Sequence, residues 1–425
     1  MRFLREIYSD SLFKNSVYLM ATNLFNLALG FFFWVIAARY YTPYEIGMTS
    51  AMLSSMILIA MISSLGFPTA LLFYLPKEPE NAGRMINSCL VASIAASLIF
   101  SLIFVSGLDI WVPSLKPVLG SSGLAAFFIS VTVASNVSIL ISSTFIAGRK
   151  SSFHMTKEMI FGFIKIFPLH AFAGFGAVGI FLSWGVGLTL AVIMGFALLS
   201  RVWRGYLLMP AFDPVIRSMA GFSMGNYIAG ILYALPRFAL PVMIVDMISP
   251  ESAGFFFIAI TIASLLYGIP QSISSSLLAE SSNGGELWTK AGKAVKFNAE
   301  LLLPGLLLFI LFGEYILNLF NPSFASNATA TLIILAAASL PMSMNIIFTT
   351  VRNAQKRVKA SVKINAAIAA LTLILSVPLM KSSGIEGAAV AYLAANTIAA
   401  VAVSFKIKGL SGFVSKSVLS KASAK

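Results

Sequence analysis

The chain has 425 residues, of which 58% are hydrophobic and only 10% charged, with a formal net charge of +14. A soluble core stops growing well before this length, so a water-soluble globular enzyme is excluded. The basic excess does not mark a nucleic-acid binder, because all but two of the 29 Lys and Arg group with the gaps between apolar runs long enough to cross hydrocarbon as helices.

Residues 1–12 place Leu4, Ile7, Tyr8 and Leu12 on one helical face, with Arg2 and Arg5 elsewhere. That pattern predicts a short helix lying in the membrane interface. Its charge, and the absence of a small-residue cleavage site, argue against a cleaved signal. Spans are then predicted at 13–38, 47–74, 86–107, 120–147, 156–175 and 177–200. Tyr40, Tyr41 and Tyr44 cluster where the first span exits, as an aromatic belt would. The gap 201–217 carries Trp203, Leu207, Leu208, Met209 and Phe212 among its arginines and is expected to lie flat on the membrane. A second set of spans follows at 218–246, 253–277, 297–319, 328–350, 360–380 and 386–405. The Ser- and Lys-rich tail 411–425 reads as a disordered segment held loosely by anionic headgroups.

Three features recur at a nearly constant spacing. Pro43…Gly47 returns as Pro250…Gly254, 207 positions on. Lys150, closing Ala147-Gly148-Arg149-Lys150, returns 206 positions on as Lys356, closing Asn353-Ala354-Gln355-Lys356. Gly176-x-x-Gly179 returns as Gly384-x-x-Gly387, 208 positions on. Gly66-Phe67-Pro68 and Gly268-Ile269-Pro270 make a weaker match. The reading is an all-α integral membrane protein: twelve transmembrane helices in two six-helix bundles related as parallel repeats. The bundles are 1–205 and 206–425, the second ending in the basic tail. Alternate gaps collect 24 of the Lys and Arg on one side, against Arg39, Lys116 and Lys381 on the other. The positive-inside rule then puts both termini in the cytoplasm of a cell (plasma or inner) membrane.

Catalytic signatures are missing. His154, His170 and the single Cys89 offer no metal ligand set, and one cysteine permits no disulfide within the chain. No Gly-x-x-x-x-Gly-Lys-Ser/Thr loop cradles a nucleotide. No Asp-x-Asp pair and no long outer loop suggest glycosyl transfer. No enzyme activity, cofactor, metal or nucleic acid is expected.

Charges inside the spans are the positive signal, because an ionised group there is costly and turns toward a wet cavity or a partner. Arg237 lies in the middle of span 7, flanked by Pro236 and Pro241, on a helical face with Asn226, Gly230 and Tyr233. The repeat maps that face onto Leu19, Asn23, Asn26 and Gly30 of span 1. Two polar stripes facing each other would line a cavity; the competing reading is that Asn23 and Asn26 bond across a helix contact. Lys165 is a second mid-span cation, with Glu158 and Glu300, near the cytoplasmic ends of spans 5 and 9, as the available acids. Arg39, at the outer end of span 1, is either a cavity residue or an interfacial anchor. A cationic, acid-poor cavity favours an anionic ligand, and a guanidinium grips phosphate through paired hydrogen bonds.

Twelve spans as two repeats, the Thr42-Pro43-Tyr44-Glu45-Ile46-Gly47 turn after span 1, and Gly384-Ile385-Glu386-Gly387-Ala388-Ala389 before span 12 together resemble the multidrug/oligosaccharidyl-lipid/polysaccharide exporter superfamily. Within it the chain is similar to the polysaccharide, or O-antigen type, flippases. The resemblance implies inner-to-outer movement of a lipid-linked oligosaccharide, on a polyprenyl phosphate or pyrophosphate, by alternating access. It implies a cationic central cavity, with Arg237 fitting the arginine of span 7. Glycan-assembly enzymes and membrane lipids would be the partners, and a monomer is the expected state. The multidrug branch typically carries a deep acid in its N-terminal half, for which the sequence offers no candidate. The alternative, a cation-coupled multidrug or metabolite antiporter, would have to use Glu300, which Lys296 can simply pair with. A scaffold or lipid scramblase is the reading from another class.

Overall fold

The computed structural model describes residues 11–203, 205–211, 213–280 and 287–422, so the expected interfacial helix at 1–12 lies almost wholly outside the described residues. The helices are, in order, α1 (Ser11–Tyr40), α2 (Pro43–Ser63), α3 (Phe67–Tyr74), α4 (Ala82–Ser106), α5 (Leu108–Trp111), α6 (Lys116–Leu119), α7 (Ser122–Ala147), α8 (Ser151–Ile164) and α9 (Pro168–Ala171). They continue with α10 (Ala177–Val202), α11 (Val215–Met247), α12 (Pro250–Glu280), α13 (Leu287–Asn318), α14 (Pro322–Ala337), α15 (Ser339–Ala354) and α16 (Val358–Ala422). No strand occurs among the described residues. α16 remains helical as far as Ala422, through most of the tail expected to be disordered.

Ten described stretches are long and apolar enough to cross a bilayer, which makes this a multi-pass membrane protein. Twelve were expected, and the difference has two sources. The span expected at 156–175 is broken: α8 has 14 residues and α9 only four. Pro168 has no N–H, so the carbonyl of Ile164, the last residue of α8, loses its helical partner. The last two expected spans, 360–380 and 386–405, lie on either side of Ser383 and Gly384, where the backbone of α16 leaves helical geometry, and are counted together as one apolar stretch of 48 residues.

Contacts divide the chain into two compact units, 1–254 and 255–425. Helix α11, which the sequence repeat places at the head of the second half, therefore packs within the first unit. In that unit α2 is the central post, buried along most of its length and touching α4, α7, α10 and α11. Its start is built by a reciprocal capping box. The Thr42 hydroxyl accepts from the Glu45 N–H, the Glu45 carboxylate accepts from the Thr42 N–H, and Pro43 occupies the first turn. In the second unit α13 packs on α14 and α15, and both α14 and α15 pack on α16. Helix α12 is tied in by the Tyr267 hydroxyl, which donates to the Leu335 carbonyl at 2.7 Å.

The same local backbone recurs at the repeat spacing. Ser249 caps α12 by accepting from the Ser252 N–H at 3.1 Å, 207 positions after the Thr42 cap. α7 ends with Arg149 at φ 53° and the Lys150 N–H bonded to the Phe145 carbonyl; α15 ends with Lys356 at φ 58° and the Arg357 N–H bonded to the Arg352 carbonyl. Arg149 rather than Lys150 is thus the partner of Lys356, which brings that match to 207 as well. Gly176 and Gly384 share φ 57° with ψ −137° and −136°, a conformation open essentially to glycine alone. Gly47 and Gly254 meet each other: a Cβ on Gly47 would strike the Pro250 carbonyl, and one on Gly254 the Pro43 carbonyl.

Candidate functional site

Helix α11 has a packed side and an open side. Met219, Ser223, Ala229, Leu240 and Ile244 are buried, and the Tyr227 hydroxyl donates to the Ile62 carbonyl at the end of α2. Asn226, Gly230, Tyr233 and Arg237 share the opposite, exposed face. Pro241 cannot donate, so the carbonyl of Arg237 loses its helical partner at the point where the guanidinium projects. The Arg237 guanidinium lies 5.9 Å from the Phe238 ring and forms no ion pair among the described residues.

The stripe expected on α1 splits. Asn23 is exposed, whereas Asn26 turns toward α8 and donates to Glu158 Oε2 at 3.4 Å. Glu158 was expected near the end of its span. Because α8 begins at Ser151 and meets α1 at Asn26, midway along a 30-residue helix, the carboxylate sits inside the bundle instead. Lys157 Nζ lies 2.8 Å from Glu158 Oε1 and donates to Ser138 Oγ at 2.6 Å and to the Ser138 carbonyl at 3.3 Å. Ser142 approaches the same carboxylate at 3.5 Å and His154 Nδ1 at 3.9 Å. Lys157 is 1% exposed, although its position in the chain groups it with the cytoplasmic cations. An ammonium that deep requires a carboxylate beside it. The pairing escapes a sequence reading because consecutive helical residues ordinarily point apart.

Lys165 is also buried, just beyond the end of α8, in a box of aromatic rings. Its Nζ lies 5.0 Å from the ring of Phe33, 4.5 Å from Phe161 and 4.3 Å from Trp184. Cation–π contacts of this kind stabilise a desolvated ammonium by about 2 kcal/mol. Lys165 and Asn26 therefore belong to the interior around α1, α8 and α10, while Asn226, Tyr233 and Arg237 form the open face of α11. Arg39 is exposed in the last turn of α1, where a cation suits the helix dipole. Glu300 is exposed and 3.8 Å from Lys296, a surface pair.

A cavity of about 550 Å³ lies elsewhere, between the start of α4 and the linker before α11, lined by Glu80, Arg84, Asn87, Trp203, Tyr206 and Met209. The linker is clamped there. Asn87 Nδ2 donates to the Leu207 carbonyl at 2.7 Å, and Tyr206 donates to Asn87 Oδ1 at 2.8 Å. Burial pushes the Tyr206 phenol up to about 12. Leu207, Leu208 and Met209 are exposed; Arg204 and Phe212 lie outside the described residues.

No family model and no curated protein matches the chain. Solved structures do. A lipid II flippase, MurJ, in an inward closed conformation matches with a TM-score of 0.74 and 14% identity, over 92% of this chain and 87% of that one. An inward-facing multidrug resistance MATE family transporter of the MOP superfamily matches with a TM-score of 0.72 and 14% identity, over 92% and 96%. An outward-facing transporter of the same description matches with a TM-score of 0.60. At this identity the likeness is one of architecture: the chain has the fold shared by MATE transporters and the MurJ flippase.

Proposed function

We propose that this chain is a flippase that moves a lipid-linked oligosaccharide, carried on a polyprenyl phosphate or pyrophosphate, from the inner to the outer leaflet by alternating access. It is read as twelve crossings in two parallel six-helix repeats, 1–205 and 206–425, with both termini in the cytoplasm of a plasma or inner membrane. Arg237 carries this reading. An ionised guanidinium with no carboxylate partner among the described residues is too costly to leave among acyl chains, so the face it shares with Asn226, Gly230 and Tyr233 is the wall of a wet vestibule. There it would hold the phosphate through paired hydrogen bonds, with the asparagines and Tyr233 addressing phosphate or sugar. The flippase among the structural neighbours supports cargo of this kind. Arg237→Ala is expected to abolish surface glycan export at matched protein level, and Arg237→Lys to retain part of it. Full export by the alanine variant refutes the role.

The second reading, a cation-coupled multidrug or metabolite antiporter, gains support from Glu158. The sequence offered only Glu300 for coupling, yet Glu158 is the carboxylate that reaches α1 inside the bundle. The MATE neighbours favour the same alternative. Dye efflux and drug resistance separate the two: loss of efflux in Glu158→Gln at matched level of folded protein, with glycan export unchanged in Arg237→Ala, selects the antiporter.

A further inference from the structure

The two repeats solve one position differently. Phe145, near the end of α7, is fully buried, and its carbonyl accepts the Lys150 N–H that closes the helix. At the matching place near the end of α15, the carbonyl of Arg352 accepts the Arg357 N–H, and the side chain is again buried, 8% exposed. A phenyl ring therefore satisfies this backbone and this degree of burial. A guanidinium there is costly unless something repays its lost hydration.

The protein holds the Arg352 guanidinium in a fixed plane. Its central carbon lies 5.0 Å from the Phe348 ring and 5.4 Å from the Trp288 ring of α13. Nη1 donates to Gln355 Oε1 at 3.1 Å. The opposite edge is unused: Nε is buried with no hydrogen-bond partner, and no carboxylate pairs with the group among the described residues. The Nε–Nη2 edge is a fork that takes an oxyanion through two parallel hydrogen bonds. Lys356, Arg357 and Lys293 are exposed at the same helix ends. On α13, Asn298 is fully buried and neither of its amide atoms is partnered; steps of four and three residues put it on the face of Ala291, which packs with Ile347 and Val351.

We infer that Arg352, stacked between Trp288 and Phe348, is the core of a phosphate-binding subsite at the end of α15 in the second unit, taking either a lipid headgroup phosphate or free phosphate. The inference is independent of what the transporter carries. The detergent-solubilised full chain is titrated with labelled inorganic phosphate and, separately, with dihexanoyl phosphatidic acid, against dihexanoyl phosphatidylcholine. Binding is followed by equilibrium dialysis, and melting temperature by fluorescence. Arg352→Phe installs the solution the first repeat already uses, and Arg352→Gln keeps the site polar if the first variant fails to fold. Saturable binding of a phosphate probe above the choline control is expected, weakened about tenfold or more in both variants by loss of the charge-assisted fork. A response to phosphatidic acid alone assigns the headgroup, a response to inorganic phosphate assigns the solute, and either supports the subsite. No saturable phosphate binding by the native chain, or equal binding by a folded variant, overturns it.

Discussion

The Lys157–Glu158 pair concentrates more charge inside the first unit than any other described contact, and its energetics are asymmetric. Removing one partner leaves the other buried and unpaired, at a cost of about 3–5 kcal/mol, whereas removing both can be close to neutral. Glu158→Gln is therefore expected to lower the melting temperature in detergent sharply, and Lys157→Met/Glu158→Gln to recover much of the loss. A double variant no more stable than the single would show that the pair is not the unit of stability. A smaller version operates at the linker. Tyr206→Phe leaves Asn87 Oδ1 buried without a donor, which costs about 1–3 kcal/mol in a thermal melt. With the folded phenol raised to about 12, this contact holds up to the ordinary phenol range near pH 10. It weakens as pH rises from there toward 12, because the unfolded chain ionises first. Neither arrangement was legible in the sequence. Glu158 and Lys157 read as the charged end of a span, and nothing in the order of residues says that Asn87 meets residue 206.

At the scale of elements, local chemistry was legible wherever it is written in a few consecutive residues. Thr42-Pro43-Tyr44-Glu45, expected as a turn ahead of a span at 47, already starts α2 with both capping bonds made, as its residue types allow. Two glycines of the expected repeat, Gly47 and Gly254, sit where two backbones cross with no room for a side chain. Gly47→Val and Gly254→Val are each expected to cost about 3 kcal/mol or more, because the obstacle is backbone rather than a yielding side chain. Gly221→Ala, with nothing within 4 Å, is the control. Equal melting temperatures for all three would dismiss the close approach. The broken element between α8 and α9 was not legible: apolar content continues through Pro168, and hydropathy measures transfer to lipid rather than continuity of hydrogen bonds. The break in α16 at Ser383 and Gly384, by contrast, was legible: it falls between the spans expected at 360–380 and 386–405, where glycine takes a backbone conformation that ends one helix before the next begins.

For the whole molecule, the charge asymmetry predicts an orientation. In a Cys89→Ser background, Lys381→Cys should react with an impermeant thiol reagent on intact cells, and Lys150→Cys only after permeabilisation. The reverse pattern would invert the protein and, with it, the proposed direction of transport. The sequence by itself determined that the chain lives in a bilayer, where its long apolar runs lie, and which turns recur, because each of these depends on composition or on neighbours in the chain. Only the tertiary structure decided which polar residues face each other. Asn26 is drawn to a carboxylate, Lys165 to three rings, and Arg237 is left on an open face. α11 packs with the helices before it, although the repeat counts it with those after it. The periodicity of a helix says which side is apolar, and not which neighbour covers it; that choice rests on long-range packing, whose partners lie a hundred or more residues away.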